Sequence, residues 1–225
     1  MNYLFTGTSL RNKRQSNMDS LLLKCGYIDK KSAALAVICD GVGSLSGGAF
    51  ASGTAAQMLN EWFHNCTTTD RIGLNMRDAI LTINSHVITE ARQRNIETAS
   101  TLTALLLVES DYCIVHIGDS RVYSYDSDGL SVLTNDNISE SGKLTACIGK
   151  TESFFLQYSE GSASEKAFLV CSDGLYNRMD LDYLVSVIKT WSKRTLNEPT
   201  ESLPNHVIKR GEHDNISFAL VKLLS

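Results

Sequence analysis

Ala33-Ala34-Leu35-Ala36-Val37-Ile38-Cys39-Asp40-Gly41 is the stretch on which the reading of this chain turns. An apolar run this short, closed by an acid and a glycine, reads as a strand. The same ending recurs downstream. Tyr112-Cys113-Ile114-Val115-His116-Ile117 runs into Gly118-Asp119-Ser120, and Ala167-Phe168-Leu169-Val170-Cys171-Ser172 runs into Asp173-Gly174. A further strand, Ile216 to Val221, is preceded by Asp214-Asn215. Working outward, β-branched and aromatic runs between Gly, Asp and Ser punctuation predict more strands. These cover Asn2 to Gly7, Ser20 to Tyr27, Thr101 to Val108, Arg121 to Tyr125, Leu130 to Leu133 and Phe154 to Ser159.

Helical spacing occurs in fewer places. Between Gly48 and Asn65, Ala51, Ala55, Met58, Leu59, Trp62 and Phe63 share a face that reads as core. Between Leu74 and Asn95, Ala79, Ile80, Ile83, Val87 and Ala91 do the same. Asp180 is placed to cap a third helix, and a fourth around Pro204 to Arg210 ends at Gly211. Strands, then two consecutive helices, then many strands, do not alternate as a doubly wound parallel sheet does. The order predicts an α+β protein with largely antiparallel sheets and helices packed outside.

Composition narrows the function classes. The 225 residues suit one large domain. The formal charge of −4 leaves no basic excess for a general grip on nucleic acid. The first residues hold no basic stretch followed by an apolar core, so no secretory signal is expected; no membrane-length apolar run occurs, and the scattered cysteines include no C-x-x-C pair. The expectation is a reduced, cytoplasmic protein that binds neither membrane nor nucleic acid, with monomer as the default state.

The acids carry the chemistry. If the strand ends meet, Asp40, Asp119, Asp173 and Asp214 share one site. Two carboxylates about 4 Å apart repel by about 4 kcal/mol at an effective dielectric near 20. Protonation or a divalent cation relieves that repulsion. Oxygen-only ligation without His or Cys at ligand spacing favours Mg²⁺ or Mn²⁺ over Zn²⁺, and two such ions about 3.5–4 Å apart activate water for phosphoryl hydrolysis. From spacing alone, the same acids are read equally well as strand terminators that seed Asx turns.

Taken together and in order, several segments resemble the metal-dependent (type 2C) serine/threonine protein phosphatases in their compact bacterial form. They are Arg14-Gln15-Ser16-Asn17-Met18-Asp19-Ser20, Asp40-Gly41-Val42-Gly43, Ala99-Ser100-Thr101-Leu102, Gly118-Asp119-Ser120-Arg121, Ser172-Asp173-Gly174-Leu175 and Asp214-Asn215-Ile216. The resemblance implies one catalytic domain over residues 1–225, folded as a four-layer α-β-β-α sandwich. It also implies hydrolysis of phosphoserine and phosphothreonine in proteins by water between two Mn²⁺ or Mg²⁺ ions, attacking phosphorus in line. Asp40 matches the carboxylate that bridges the ions, with the Gly41 carbonyl on the first. Asp173 and Asp214 match ligands of the second, and Asp119 with Asp173 a site for a third. Asp19 matches an acid acting through water, and Arg14 the arginine that grips the substrate phosphate. The substrates implied are phosphoproteins, with a serine/threonine kinase or its targets as partners.

Three departures from the pattern stand out. Met18 occupies a position where the family has Glu or Gln, which removes an outer acceptor near the metals. Val42 stands where eukaryotic relatives carry a proposed general-acid histidine, so leaving-group protonation falls to water. Between Leu133-Thr134-Asn135-Asp136 and Leu144-Thr145-Ala146-Cys147, only Asn137 to Lys143 remain of the family's mobile flap, so an open site is expected. Met18 and the short flap support a rival reading, a catalytically weak pseudophosphatase acting as a regulatory or scaffolding module. Other rivals fail on spacing. The glycines of 41–48 do not follow G-x-G-x-x-G, and neither a P-loop nor a G-x-S-x-G elbow occurs. His116 reads as a packed side chain.

Overall fold

The computed structural model describes residues 3–152 and 154–224. Among the described residues, ten strands form two five-stranded sheets, and every named pairing is antiparallel. One sheet has the order β2 (Asp19–Ile28), β3 (Lys31–Asp40), β4 (Leu102–Val108), β5 (Asp111–Ile117) and β8 (Gln157–Ser162). The other has β1 (Tyr3–Leu10), β10 (Ile216–Leu223), β9 (Ala167–Cys171), β6 (Arg121–Asp126) and β7 (Gly129–Val132).

The central strand shows why the decisive run carries no polar residue. Side chains alternate between the faces of a strand, so a strand covered on both sides must be apolar throughout. Ala33, Leu35, Val37 and Cys39 join a core formed with the helices α1 (Gly48–Asn65) and α2 (Ile72–Arg94). Ala34, Ala36 and Ile38 face the other way, into a second core between the sheets with Phe168, Val170, Ala219 and Val221. A third core lies beyond the other sheet. There Leu169, Phe218 and Leu220 meet Leu184 and Ile188 of α4 (Leu181–Thr190) and Leu203 and Val207 of α5 (Glu198–Lys209). Three cores between four layers make the α-β-β-α sandwich.

The hairpin joining β2 to β3 sets the register that matters for the site. Asp29 and Lys30 both take positive φ, +49° and +64°, the backbone of a two-residue turn whose twist matches the strands it joins. Ile28 therefore pairs with Lys31, and counting back along the ladder brings Asp19 opposite Asp40.

The expected elements are present, with instructive shifts. The first helix spans Gly48–Asn65 as read, and α2 begins two residues earlier than the spacing suggested. Asp180 caps α4, its Oδ1 accepting from the N–H groups of Asp182 (3.0 Å) and Tyr183 (3.1 Å). The last helix starts at Glu198, well before Pro204. Pro199 sits in its first turn, where a missing N–H costs nothing. The strand expected at Phe154 to Ser159 runs instead from Gln157 to Ser162. Phe154 and Leu156 pack onto the helix-side core from the preceding loop, so their apolar character serves burial outside the ladder. The expected start at Asn2 lies outside the described residues. Among the described residues no helix is long and apolar enough to cross a membrane.

Candidate active site

Both sheets direct strand ends toward one cavity of about 360 Å³, lined by Arg14, Met18, Asp40, Gly41, Asp119, Asp173 and Asp214 among others. Asp40 is the last residue of β3 and Asp173 the first of a single helical turn, α3 (Asp173–Tyr176), directly after β9. Asp119 lies in the turn between β5 and β6, and Asp214 stands two residues before β10. Asp19 does not line the cavity. It is buried behind, opposite Asp40, and its Oδ2 accepts from Ser172 Oγ at 3.0 Å.

The backbone around Asp40 is clamped from the neighbouring segment. Its N–H donates to Thr101 Oγ1 (2.9 Å), and its carbonyl accepts from Thr101 N (2.9 Å) and Ser100 Oγ (3.0 Å). That gives Ala99-Ser100-Thr101-Leu102 its task. Gly41 follows in a space no side chain fits, since a Cβ there would sit 2.5 Å from the Gly48 carbonyl oxygen. Met18 takes part through its main chain: its carbonyl accepts from Gly41 N (3.2 Å) and Ser52 Oγ (2.6 Å).

Electrostatically the site is overloaded with acid. Burial, and then the charges of Asp19 and Asp173, push the Asp40 carboxyl well above the usual carboxylate range. Burial raises Asp19 to about 6 against the opposing hydrogen bonds of Ser217 and Ser172. Asp119 is also raised to about 6, by burial and then by Asp173. Asp173 is raised by burial and by Asp214. Asp214 differs from the rest. Burial would raise it, but hydrogen bonds from Arg14 and the Asn215 N–H outweigh that and hold it below its ordinary value. Arg14 makes a bidentate fork onto it, Nε to Oδ1 at 2.8 Å and Nη2 to Oδ2 at 2.5 Å.

The expected residues are thus gathered, with Asp19 behind the others and Arg14 turned onto Asp214. Among the described residues, no three His, Cys, Asp or Glu side chains form a group that could hold a metal ion as they stand. The donor chemistry nevertheless fits a hard divalent cation: oxygen atoms only, and four acids whose proton affinity is raised first by burial and then by neighbouring carboxylates. Asp214, the remaining acid of the cavity, is occupied by Arg14.

Asn215 is a residue whose role the sequence did not disclose. Its Nδ2 donates to the carbonyls of Arg11 (2.8 Å) and Ser16 (3.0 Å), and its Oδ1 accepts from Met18 N (2.9 Å). It therefore pins the loop that carries Arg14 to the segment that carries Asp214 into β10. Its place in the matching segment Asp214-Asn215-Ile216, between an acid and a strand, was the visible signal. Where the flap is short, Ile138 and Leu144 bridge and Ser139 N donates to Lys143 O at 2.8 Å, so a tight turn borders the cavity.

Known proteins resemble this chain over most of its length. A family model described as Protein phosphatase 2C matches residues 6–208. A putative protein phosphatase of Mycoplasma genitalium is 26% identical over 261 residues, covering 98% of this chain and 95% of that protein. The serine/threonine phosphatase stp of Listeria monocytogenes is 26% identical, with 87% of each chain covered. The catalytic domain of the serine/threonine protein phosphatase PstP, solved in complex with two manganese ions, superposes with a TM-score of 0.85 at 20% identity, covering 99% of both chains.

Proposed function

This chain belongs to the protein phosphatase 2C family, and on that premise we propose that it hydrolyses phosphoserine and phosphothreonine in proteins with Mn²⁺ or Mg²⁺ at the acid cavity. The observation that carries the reading is the convergence of Asp40, Asp119, Asp173 and Asp214, with Arg14, on one cavity from the ends of both sheets. Asp40, the Gly41 carbonyl, Asp173 and Asp214 would hold two core ions. Asp119 with Asp173 would hold a third, and Asp19 would act from behind through water. Bound divalent cations would supply the Lewis acidity that activates water and offsets charge developing on the phosphoryl oxygens.

The chain's own residues do the rest. Arg14, freed from Asp214, presents the same planar fork to two phosphate oxygens, which lysine cannot match. Asn215 keeps that arginine in reach by tying its loop to β10. Met18 serves the site through its carbonyl, which any residue supplies, so its departure from the family pattern leaves the framework intact. The short turn at 138–144 leaves the cavity mouth to large phosphoprotein surfaces. In this reading residues 1–225 act as one catalytic domain, a cytoplasmic monomer whose substrates are the products of a serine/threonine kinase.

Aryl phosphate hydrolysis with Mn²⁺, with and without chelator, tests the proposal. Turnover is expected to require the metal and to vanish in Asp173→Ala. No metal-dependent turnover in the intact protein would leave the pseudophosphatase reading standing, and equal turnover in Asp173→Ala would remove the site assignment. Arg14→Ala is expected to raise KM more than it lowers kcat, the mark of uniform phosphate binding.

A further inference from the structure

Asp119 sits on the least self-supporting piece of the site. Gly118, Asp119 and Ser120 join β5 to β6 outside either ladder. Gly118 takes a φ of +109°, and a Cβ there would lie 2.6 Å from Thr101 Cβ. A turn on so narrow a path needs external fastening, and it comes from the stub where the flap is short. Asn137 grips Gly118 at both ends of its backbone: Oδ1 accepts from Gly118 N at 2.9 Å, and Asn137 N donates to Gly118 O at 2.6 Å. The Asn137 carbonyl accepts from Thr145 N at 2.8 Å, which ties the far side of the stub to the same residue.

His116 supplies a second fastening from inside the sheet. It is fully buried, with Nδ1 2.8 Å from Thr103 Oγ1 and Nε2 3.2 Å from the Asn135 carbonyl. A carbonyl only accepts, so Nε2 carries the ring hydrogen and Nδ1 takes the threonine proton. The stub at residues 135–137 is thereby bonded to β5 on one side of the Asp119 turn. On the other side Arg121 pairs with Asp136 at 2.7 Å, and Tyr176 Oη donates to the Asp119 carbonyl at 3.0 Å.

We propose that Asn137 and His116 are positioning residues of the active site, fixing the Gly118–Ser120 turn so that the Asp119 carboxylate faces the cavity. The inference rests on the reading of Asp119 as a cation-holding carboxylate. Neither residue lines the cavity; Asn137 acts through the backbone of the turn, and His116 through the stub that fastens it. Asn137 is half-buried in a stub that keeps its other bonds, so its side chain can be cut without removing core.

The test compares Asn137→Ala, Asn137→Asp, His116→Asn and Asp119→Asn. Three measurements are read: hydrogen exchange of the Gly118–Ser120 amides in metal-free protein, Mn²⁺ binding by calorimetry, and aryl phosphate kinetics against Mn²⁺. Asn137→Ala is expected to speed exchange at the turn and to weaken the weakest Mn²⁺ step about tenfold. It should lower kcat at fixed Mn²⁺ and leave KM for the aryl phosphate unchanged. Asn137→Asp keeps an acceptor for Gly118 N–H and is expected to recover both exchange and binding. His116→Asn keeps an acceptor for Thr103 but loses the Asn135 bond, and should fall between. A lowered melting temperature with an unchanged Mn²⁺ isotherm in Asn137→Ala would overturn the proposal by reducing the residue to a structural one. Should Asp119→Asn itself leave the isotherm unchanged, the reading of Asp119 fails; should it weaken binding while Asn137→Ala does not, positioning alone fails.

Discussion

The middle of β3 and its last residue answer to opposite demands, though they are neighbours on one strand. From Ala33 to Cys39 every side chain is at most 1% exposed and surrounded by apolar partners. At Asp40 the same strand delivers a carboxylate into a pocket already holding Asp119, Asp173 and Asp214. Burial stabilises the first region and strains the second, because desolvation favours carbon and penalises charge. The difference teaches that the acid end does not hold itself together: the three cores hold it there, and burial, with repulsion among its acids, leaves it ready to take a cation.

The strongest way to break the comparison is to weaken the apolar side alone. Phe168 is fully buried between the sheets, its ring 5.0 Å from that of Tyr112. Phe168→Ala is expected to cost about 3–5 kcal/mol in urea unfolding, by the same amount with and without chelator. A loss that depends on Mn²⁺ would mean that core and site are not separable.

His116 tests the border between the regions, as a polar ring inside the apolar sheet. Burial pushes its pKa down to about 4, below the ordinary value, so the folded protein holds it neutral. The unfolded chain binds its proton first, and stability present above pH ~6.5 is lost as pH falls through about 4. The stability advantage of wild type over His116→Asn should therefore shrink by about 3 kcal/mol across that window, read by urea unfolding at several pH values. A constant gap would show that the ring is charged in the fold.

Asp19 sharpens the acid side with the opposite sign. Its folded pKa of about 6 lies above the ordinary carboxylate value, so its charge opposes folding at neutral pH in the absence of a cation. Asp19→Asn is expected to gain about 2 kcal/mol in chelator, while Mn²⁺-dependent turnover falls. Thermal melting in chelator checks this, and a drop in midpoint would contradict it. The smallest effect belongs to neither region. Arg92 and Glu152 pair at 2.9 Å with both side chains 70% exposed, and Arg92→Ala should change stability by less than about 0.5 kcal/mol.

Much of this architecture could be read before any coordinates. The unbroken run 33–39 announced a strand, and the glycine- or serine-flanked acids announced strand ends that carry carboxylates. What spacing could not say is that those termini meet. The pairing of Asp19 with Asp40 depends on a turn made by Asp29 and Lys30, both at positive φ, although neither is the glycine that such turns favour. The fork between Arg14 and Asp214 spans 200 residues, a distance no local pattern reaches. The turn α3 is only four residues long, too short for periodicity to register, and Phe154 mimicked a strand because loops also bury aromatic rings. Asn137 looked like the remnant of a shortened segment, and its double bond to Gly118 became visible only when the two were side by side.

The strand order of the second sheet sets a timetable for how the protein is made. β10 does not lie at an edge: it inserts between β1, the first strand described, and β9, pairing with both. Asp214 and Asn215 arrive with it. A chain emerging from the ribosome therefore carries Asp40 and Asp173 while one acid and the staple for the Arg14 loop are still to be synthesised. Until β10 slots into the waiting gap, the nascent polypeptide has an open sheet and an unfinished acid pocket. Competence to process phosphoproteins would then await the pairing of β10 with both β1 and β9.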